Sequence, residues 1–172
     1  MSIQAAHINA FLESTKTLFD TMIGMPVSFE TPKIKDGNQP YDISGVIGLS
    51  GDVVGCVLIG FDQDAAINIV TKFTGEPAEL NTPDFDDAIG EVVNMIAGGA
   101  KAKFEGMDVS IGCPSVITSP KHQVTSPSAA ESIIIPCVTA AGGFQIEISF
   151  RSVTPLSGTA ERNTPVTQMK RA

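Results

Sequence analysis

Two side chains are of a kind and at a spacing that would let them act together: Glu91 and Asn94, in the run Asp87-Ala88-Ile89-Gly90-Glu91-Val92-Val93-Asn94. On a helix, a separation of three places their Cβ atoms about 5–6 Å apart on one face, so a carboxylate and an amide can address the same partner. At about 100° per residue, Asp87 and Gly98 fall on the same stripe. Asn in mid-helix costs stability. Gly90, Gly98 and Gly99 each add a cost on the order of 1 kcal/mol relative to Ala, which a helix that only fills a core has little reason to carry. Gly98 leaves bare backbone onto which another macromolecule could close, or against which the helix could pack on its own sheet. Ordinary solvated surface is the competing explanation for the stripe, because Glu and Asn are commonly exposed without a task. The other chemistry-bearing residues do not assemble. His7 and His122 have no second His or Cys at ligand spacing, and neither neighbours a Ser or Cys in a nucleophile dyad. Cys56, Cys113 and Cys137 are odd in number, far apart and set among apolar or small residues, so reduced core thiols are expected rather than disulfides or a metal site.

The helix that must position the stripe is well marked, with Thr82 as N-cap, Pro83 at the first helical position and Asp84, Asp86 and Asp87 against the positive end of the dipole. It is expected from Thr82 to Phe104, with Phe85, Ile89, Val92, Val93, Ile96 and Ala100 as its buried face. Before it, apolar residues at three- and four-residue intervals predict a first helix from Ser2 to Ile23, stopped by Gly24 and Pro26. Val27 to Ile34 has strand character and 36–40 is a turn-rich loop. Tyr41 to Leu49 and Val53 to Phe61 form a hairpin about Ser50-Gly51-Asp52. Asp62 caps a short helix through Thr74, stopped by Gly75 and Pro77. After the central helix, Val109 to Ile111 and Ser115 to Thr118 are extended, Pro120 to Ser128 is a polar loop, and Ser132 to Thr139 pairs with Phe144 to Val153 as a second hairpin. There Gln145, Glu147 and Ser149 alternate with Ile146, Ile148 and Phe150, the pattern of a sheet with one wet face.

At 172 residues the chain suits one domain, 1–155, followed by a polar, flexible tail, 156–172. A net charge of −8, with 11 basic residues scattered along the chain, argues against nucleic acid or an anionic membrane as partner. The N-terminus has the spacing of an amphipathic helix rather than a signal peptide, and no run is apolar enough to span a bilayer, so a cytoplasmic protein is expected.

The two halves share an order of helix, short strand, loop and hairpin. Gly24-Met25-Pro26-Val27-Ser28-Phe29 corresponds to Gly106-Met107-Asp108-Val109-Ser110-Ile111, and the hairpin 44–61 to the hairpin 132–150. Phe11-Leu12-Glu13-Ser14-Thr15-Lys16 aligns with Ile89-Gly90-Glu91-Val92-Val93-Asn94, so the first helix keeps a Glu but has Lys16 in place of Asn.

With the stripe, the element order and the repeat together, the chain from about Ile3 to Val153 resembles the CheC/CheX/FliY phosphatases of bacterial chemotaxis. Their signature is an acidic or Ser residue, three residues, Glu, two residues, then Asn on an exposed helix; here it is Asp87 to Asn94, with Cys113-Pro114-Ser115 after the helix. Lys16 spoils a second motif, so the single-motif CheX members are the nearer likeness. The resemblance implies an α/β (α+β) fold: a mainly antiparallel sheet layered with two long helices that pack together, a pseudo-twofold repeat, and the motif helix facing solvent. It implies hydrolysis of the phospho-aspartate on a CheY-like response regulator. Asn94 would hold the attacking water and Glu91 anchor the partner through its active-site lysine; Asp87, at the edge of the stripe, would either bind the partner or serve only as N-terminal charge, and Gly98 on the same stripe is the candidate for close approach of the partner. The Mg²⁺ would be the regulator's, with no cofactor or metal of this chain's own, and a homodimer is a further implied partner. The alternatives are a regulator-binding adaptor without turnover and a dimerisation domain.

Overall fold

The structure, a computed structural model, describes residues 5–125 and 132–153. Helix α1 (Ala5–Leu18) runs on into a π-turn, Phe19–Ile23, closed where Gly24 takes the left-handed conformation (φ 69°) and bonds back to the Phe19 carbonyl. Residues 2–4 of the expected helix lie outside the described residues. Helix α2 (Gln63–Thr74) stops at Gly75, also left-handed (φ 78°). Asp62 stands at its N-cap position without a capping bond, a correction to the sequence reading. The Gln63 N–H donates instead to Asp42 Oδ2 at 3.2 Å, a contact too distant in sequence to be anticipated. Helix α3 (Pro83–Lys101) begins as expected, with Thr82 Oγ1 accepting the Phe85 N–H at 3.3 Å. It ends before Phe104, where tighter turns from Ala100 and Lys101 bring the Phe104 ring in against His7 and Phe150.

One antiparallel sheet holds all eight strands of the described residues: β1 (Val27–Phe29), β2 (Lys33–Ile34), β3 (Pro40–Gly51), β4 (Val53–Phe61), β5 (Val109–Ile111), β6 (Ser115–Gln123), β7 (Ser132–Thr139) and β8 (Gly142–Ser152). The order is β1-β7-β8-β4-β3-β5, with β2 also on β7 and β6 also on β3. The expected strand from Val27 to Ile34 is broken into β1 and β2 at Glu30-Thr31-Pro32, where Pro32 has no N–H to give a ladder. The expected loop from Pro120 is, up to Gln123, a continuation of β6. A register shift opposite Asp42 absorbs the irregularity, and Lys121, at φ 53°, donates its N–H to Asp42 Oδ1 at 3.0 Å. Residues 126–128 of that loop and the tail 156–172 lie outside the described residues.

The repeat is interleaved. The two hairpins β3–β4 and β7–β8 meet through β4 and β8, which pair from Val53↔Ser152 to Phe61↔Phe144. The strand that follows α1 then pairs with the second half's hairpin (Val27↔Thr139), and the strand that follows α3 pairs with the first half's (Gly51↔Val109). Each half therefore completes the other's sheet, and neither is a separate folding unit by its pairings.

The three helices cover one face. Val57, Ile59 and Phe61 of β4 and Ile146, Ile148 and Phe150 of β8 meet Phe11, Phe19, Ile69, Ile89 and Ile96 in a continuous core. The helices α1 and α3 touch through Ser14, whose Oγ donates to the Ile96 carbonyl at 2.8 Å, while a Cβ on Gly99 would overlap that same Oγ. No helix among the described residues is long and apolar enough to cross a membrane.

The other face is not wet, contrary to the alternation in β8. Glu147 and Ser149 are buried, with Tyr41, Ser44, Leu58 and Ile134. The chain leaving β2 on the β7 edge must reach β3 on the opposite side, and Lys35 on this crossing places its Nζ 2.8 and 2.9 Å from the two Glu147 carboxylate oxygens. Burial, and secondarily the Glu147 charge, push the Tyr41 hydroxyl well above the usual tyrosine range, so it remains a neutral donor to Gln145 Oε1 at 3.3 Å. Alternation identifies a polar face but not whether the chain's own connections cover it. With the Glu147 side chain 4% and that of Lys35 12% exposed, Lys35→Met should destabilise the protein by about 3–5 kcal/mol by leaving a buried carboxylate unpaired. Lys35→Met with Glu147→Leu should recover most of the loss; urea unfolding of the three proteins measures both.

Candidate functional site

The buried side of α3 sets the direction of its open side. Phe85, Ile89, Val92, Val93 and Ile96 are sequestered, Asp87 and Glu91 are exposed, and Asn94 is half-buried. The helix is seated by glycine on its neighbour: β3 carries Gly45 where Val93 arrives, and a Cβ there would overlap Val93 Cγ2. On the flank, Gly90 brings the β5–β6 corner close, since its absent Cβ would lie 3.5 Å from Pro114 Cγ and 3.8 Å from Val116 Cγ2. Of the glycines of α3, Gly99 is required by packing within the chain, whereas a Cβ on Gly90 or Gly98 would meet ordinary contacts. Gly98 faces Ile111 Cδ1 at 3.7 Å and is not among the residues that line the groove described next.

Between α3 and the β5–β6 corner runs an open groove of about 600 Å³. Its helix side presents Asp86, Asp87, Gly90, Glu91 and Asn94; its far side presents Gly112, Cys113, Pro114 and Val116. The structure therefore brings Asp87, Glu91 and Asn94 into one groove. Asp86 Oδ1 accepts from Thr118 Oγ1 at 3.2 Å, tying the first turn of α3 to β6. Periodicity assigns Asp86 only to the helix dipole, and the family likeness at Cys113-Pro114-Ser115 gives that stretch no place in the site: Cys113, expected as a core thiol, is exposed in the groove, whereas Cys137 is buried and Cys56 half-buried. The signal for that wall was Pro114 itself, a fixed corner between two short strands.

Three carboxylates and an amide line the groove, and no cationic side chain among the described residues does. Among the described residues, no three His, Cys, Asp or Glu side chains gather as metal ligands. His7 lies between the Phe104 and Phe150 rings, where burial lowers its pKa, and His122 bonds the Ser119 carbonyl at 2.6 Å and Ser44 Oγ at 2.8 Å. Neither lines the groove. In the first half, Glu13 pairs with Lys103 and Lys16 with Asp20, both at the surface.

The described residues of this α+β fold thus set acid and amide groups along one open groove. The sequence profile of the family described as chemotaxis phosphatase CheX matches residues 43–138, which include both walls of the groove, and the chain belongs to that family. The CheY-P phosphatase CheX of Thermotoga maritima is 27% identical over 129 residues, covering 72% of this chain and 83% of that protein. A CheC-like superfamily protein from Shewanella sp. PV-4 superposes with a TM-score of 0.81 at 30% identity, over 87% of this chain and 100% of that one. The fold is also that of CheX in the CheX–CheY–BeF3–Mg²⁺ complex from Borrelia burgdorferi: TM-score 0.72, 21% identity, 85% of this chain and 98% of that one.

The two kinds of glycine contact differ in what they tolerate. Gly90→Ala meets only ordinary contacts and should raise stability by up to about 1 kcal/mol. Gly45→Ala must displace Val93 from a packed core and should cost about 1–3 kcal/mol. Thermal unfolding of the two variants distinguishes them.

Proposed function

We propose that this protein hydrolyses the phospho-aspartate of a CheY-like response regulator and that Asn94 and Glu91 carry the reaction. The observation that supports this most is that the Asn94 amide and the Glu91 carboxylate line one open groove with no cationic side chain among the described residues. Such a groove complements a phosphorylated acidic site that brings its own positive charge, its Mg²⁺ and its lysine.

The chemistry asks little of the protein. Water oxygen attacks phosphorus in line with the bond to the aspartyl oxygen; that bond breaks, the carboxylate leaves with the electron pair, and the water's proton ends on the released phosphate. Asn94 Oδ1 accepts a hydrogen bond from the water while its Nδ2 donates to a phosphoryl oxygen, holding the water at the angle of attack. Glu91 would repel a phosphoryl group and so pairs with the partner's lysine instead. Asp87, exposed one turn before Glu91, adds charge to the same docking face. The Mg²⁺ that neutralises the phosphoryl charge belongs to the regulator in this reading, and the reaction takes place in the cytoplasm.

Asn94→Ala should lower kcat by about 10²–10³ with little change in KM. Glu91→Ala should raise KM by about tenfold and lower kcat as well. Both are read from the multiple-turnover decay of the phosphorylated regulator with Mg²⁺ present. Binding by the wild type without faster decay would instead identify an adaptor.

A further inference from the structure

The groove has two walls of different character, and we propose that the Gly112-Cys113-Pro114 corner is a second docking wall, which receives an uncharged, apolar patch beside the partner's phosphorylated aspartate. This rests on the phosphatase reading and extends it from the helix to the opposite side. The helix wall carries the charge: Asp86, Asp87 and Glu91 face the groove with Asn94. The corner carries none. Gly112 and Cys113 are exposed, and Pro114 is half-buried.

The corner is tied to both the sheet and the helix. The Gly112 N–H donates to the Gly48 carbonyl at 2.9 Å, and Ser115 opens β6 opposite Val46. Pro114 rests against Gly90 as described, and Asp86 with Thr118 joins strand to helix beyond it. Both edges of the groove are therefore fixed before a partner arrives, which reduces the entropy lost on docking.

Charge complementarity identifies the occupant. The flank that meets α3 is cationic, since it faces three carboxylates. The flank that meets Cys113 and Pro114 is neutral and apolar, because a charged side chain placed there would lose its water with no counter-charge to replace it. A regulator with such a charge would be rejected by desolvation rather than by collision.

The test compares Cys113→Glu and Cys113→Ser with the wild type in the full chain. It reads KM and kcat on a phosphorylated CheY-type regulator from the same cell and Kd for the regulator loaded with BeF3. Cys113→Glu should raise KM and Kd together by about tenfold, a larger effect than on kcat, and Cys113→Ser, which adds no charge, should raise both by far less. Wild-type KM and Kd in Cys113→Glu would overturn the second wall. If the wild type binds without turnover and Cys113→Glu loses that affinity, the phosphatase reading falls and the wall stands; if the wild type neither binds nor turns over the regulator, both fall.

Discussion

The seat of Val93 against Gly45 governs the rest of the molecule. A valine methyl occupies the space where any other residue on β3 would have a Cβ, so α3 lies close to the sheet at one rotation about its axis. Turning the helix by one residue, about 100°, would in one sense carry Asn94 into the buried place of Val93, and in the other carry Val93 out to the place of Asn94. Gly99 against Ser14 fixes the same rotation from another side, where a Cβ would overlap the Ser14 Oγ. The cost of glycine in a helix is thereby exchanged for a rigid display of Glu91 and Asn94.

That display exists once in the two halves. The repeat extends further than the helix-strand junction, because Val27-Ser28-Phe29-Glu30-Thr31-Pro32 corresponds to Val109-Ser110-Ile111-Gly112-Cys113-Pro114, proline to proline. Yet in the aligned first helix Leu12 stands for Gly90 and Lys16 for Asn94. A lysine would pair with a phosphoryl oxygen and offer no acceptor to a water. The first helix is committed to surface ion pairs and to its crossing with α3.

Local chemistry made much of this legible. The N-cap at Thr82, the glycine stops at Gly24 and Gly75, both hairpins and the stripe from Asp87 to Asn94 follow from turn residues and periodicity, and all depend on residues near in sequence. What was not legible depends on distant ones. Asp42 replaces Asp62 at the start of α2, Lys35 crosses the sheet to bury Glu147, and β6 continues past Pro120 because Asp42 receives its irregular backbone. The exposure of Cys113 belongs to the same class, for small neighbours suit a tight corner as well as a core.

We propose that the Asn94 amide, with one acceptor and one donor in use, holds the water that attacks phosphorus. Its most direct test is the single-turnover rate of phosphate release from a phosphorylated regulator saturated with Asn94→Asp, a replacement of nearly the same shape that loses the donor and adds a charge beside the phosphoryl group. The expected rate is no faster than that of the regulator alone, from a complex that still forms. A rate close to that of the wild type would contradict it.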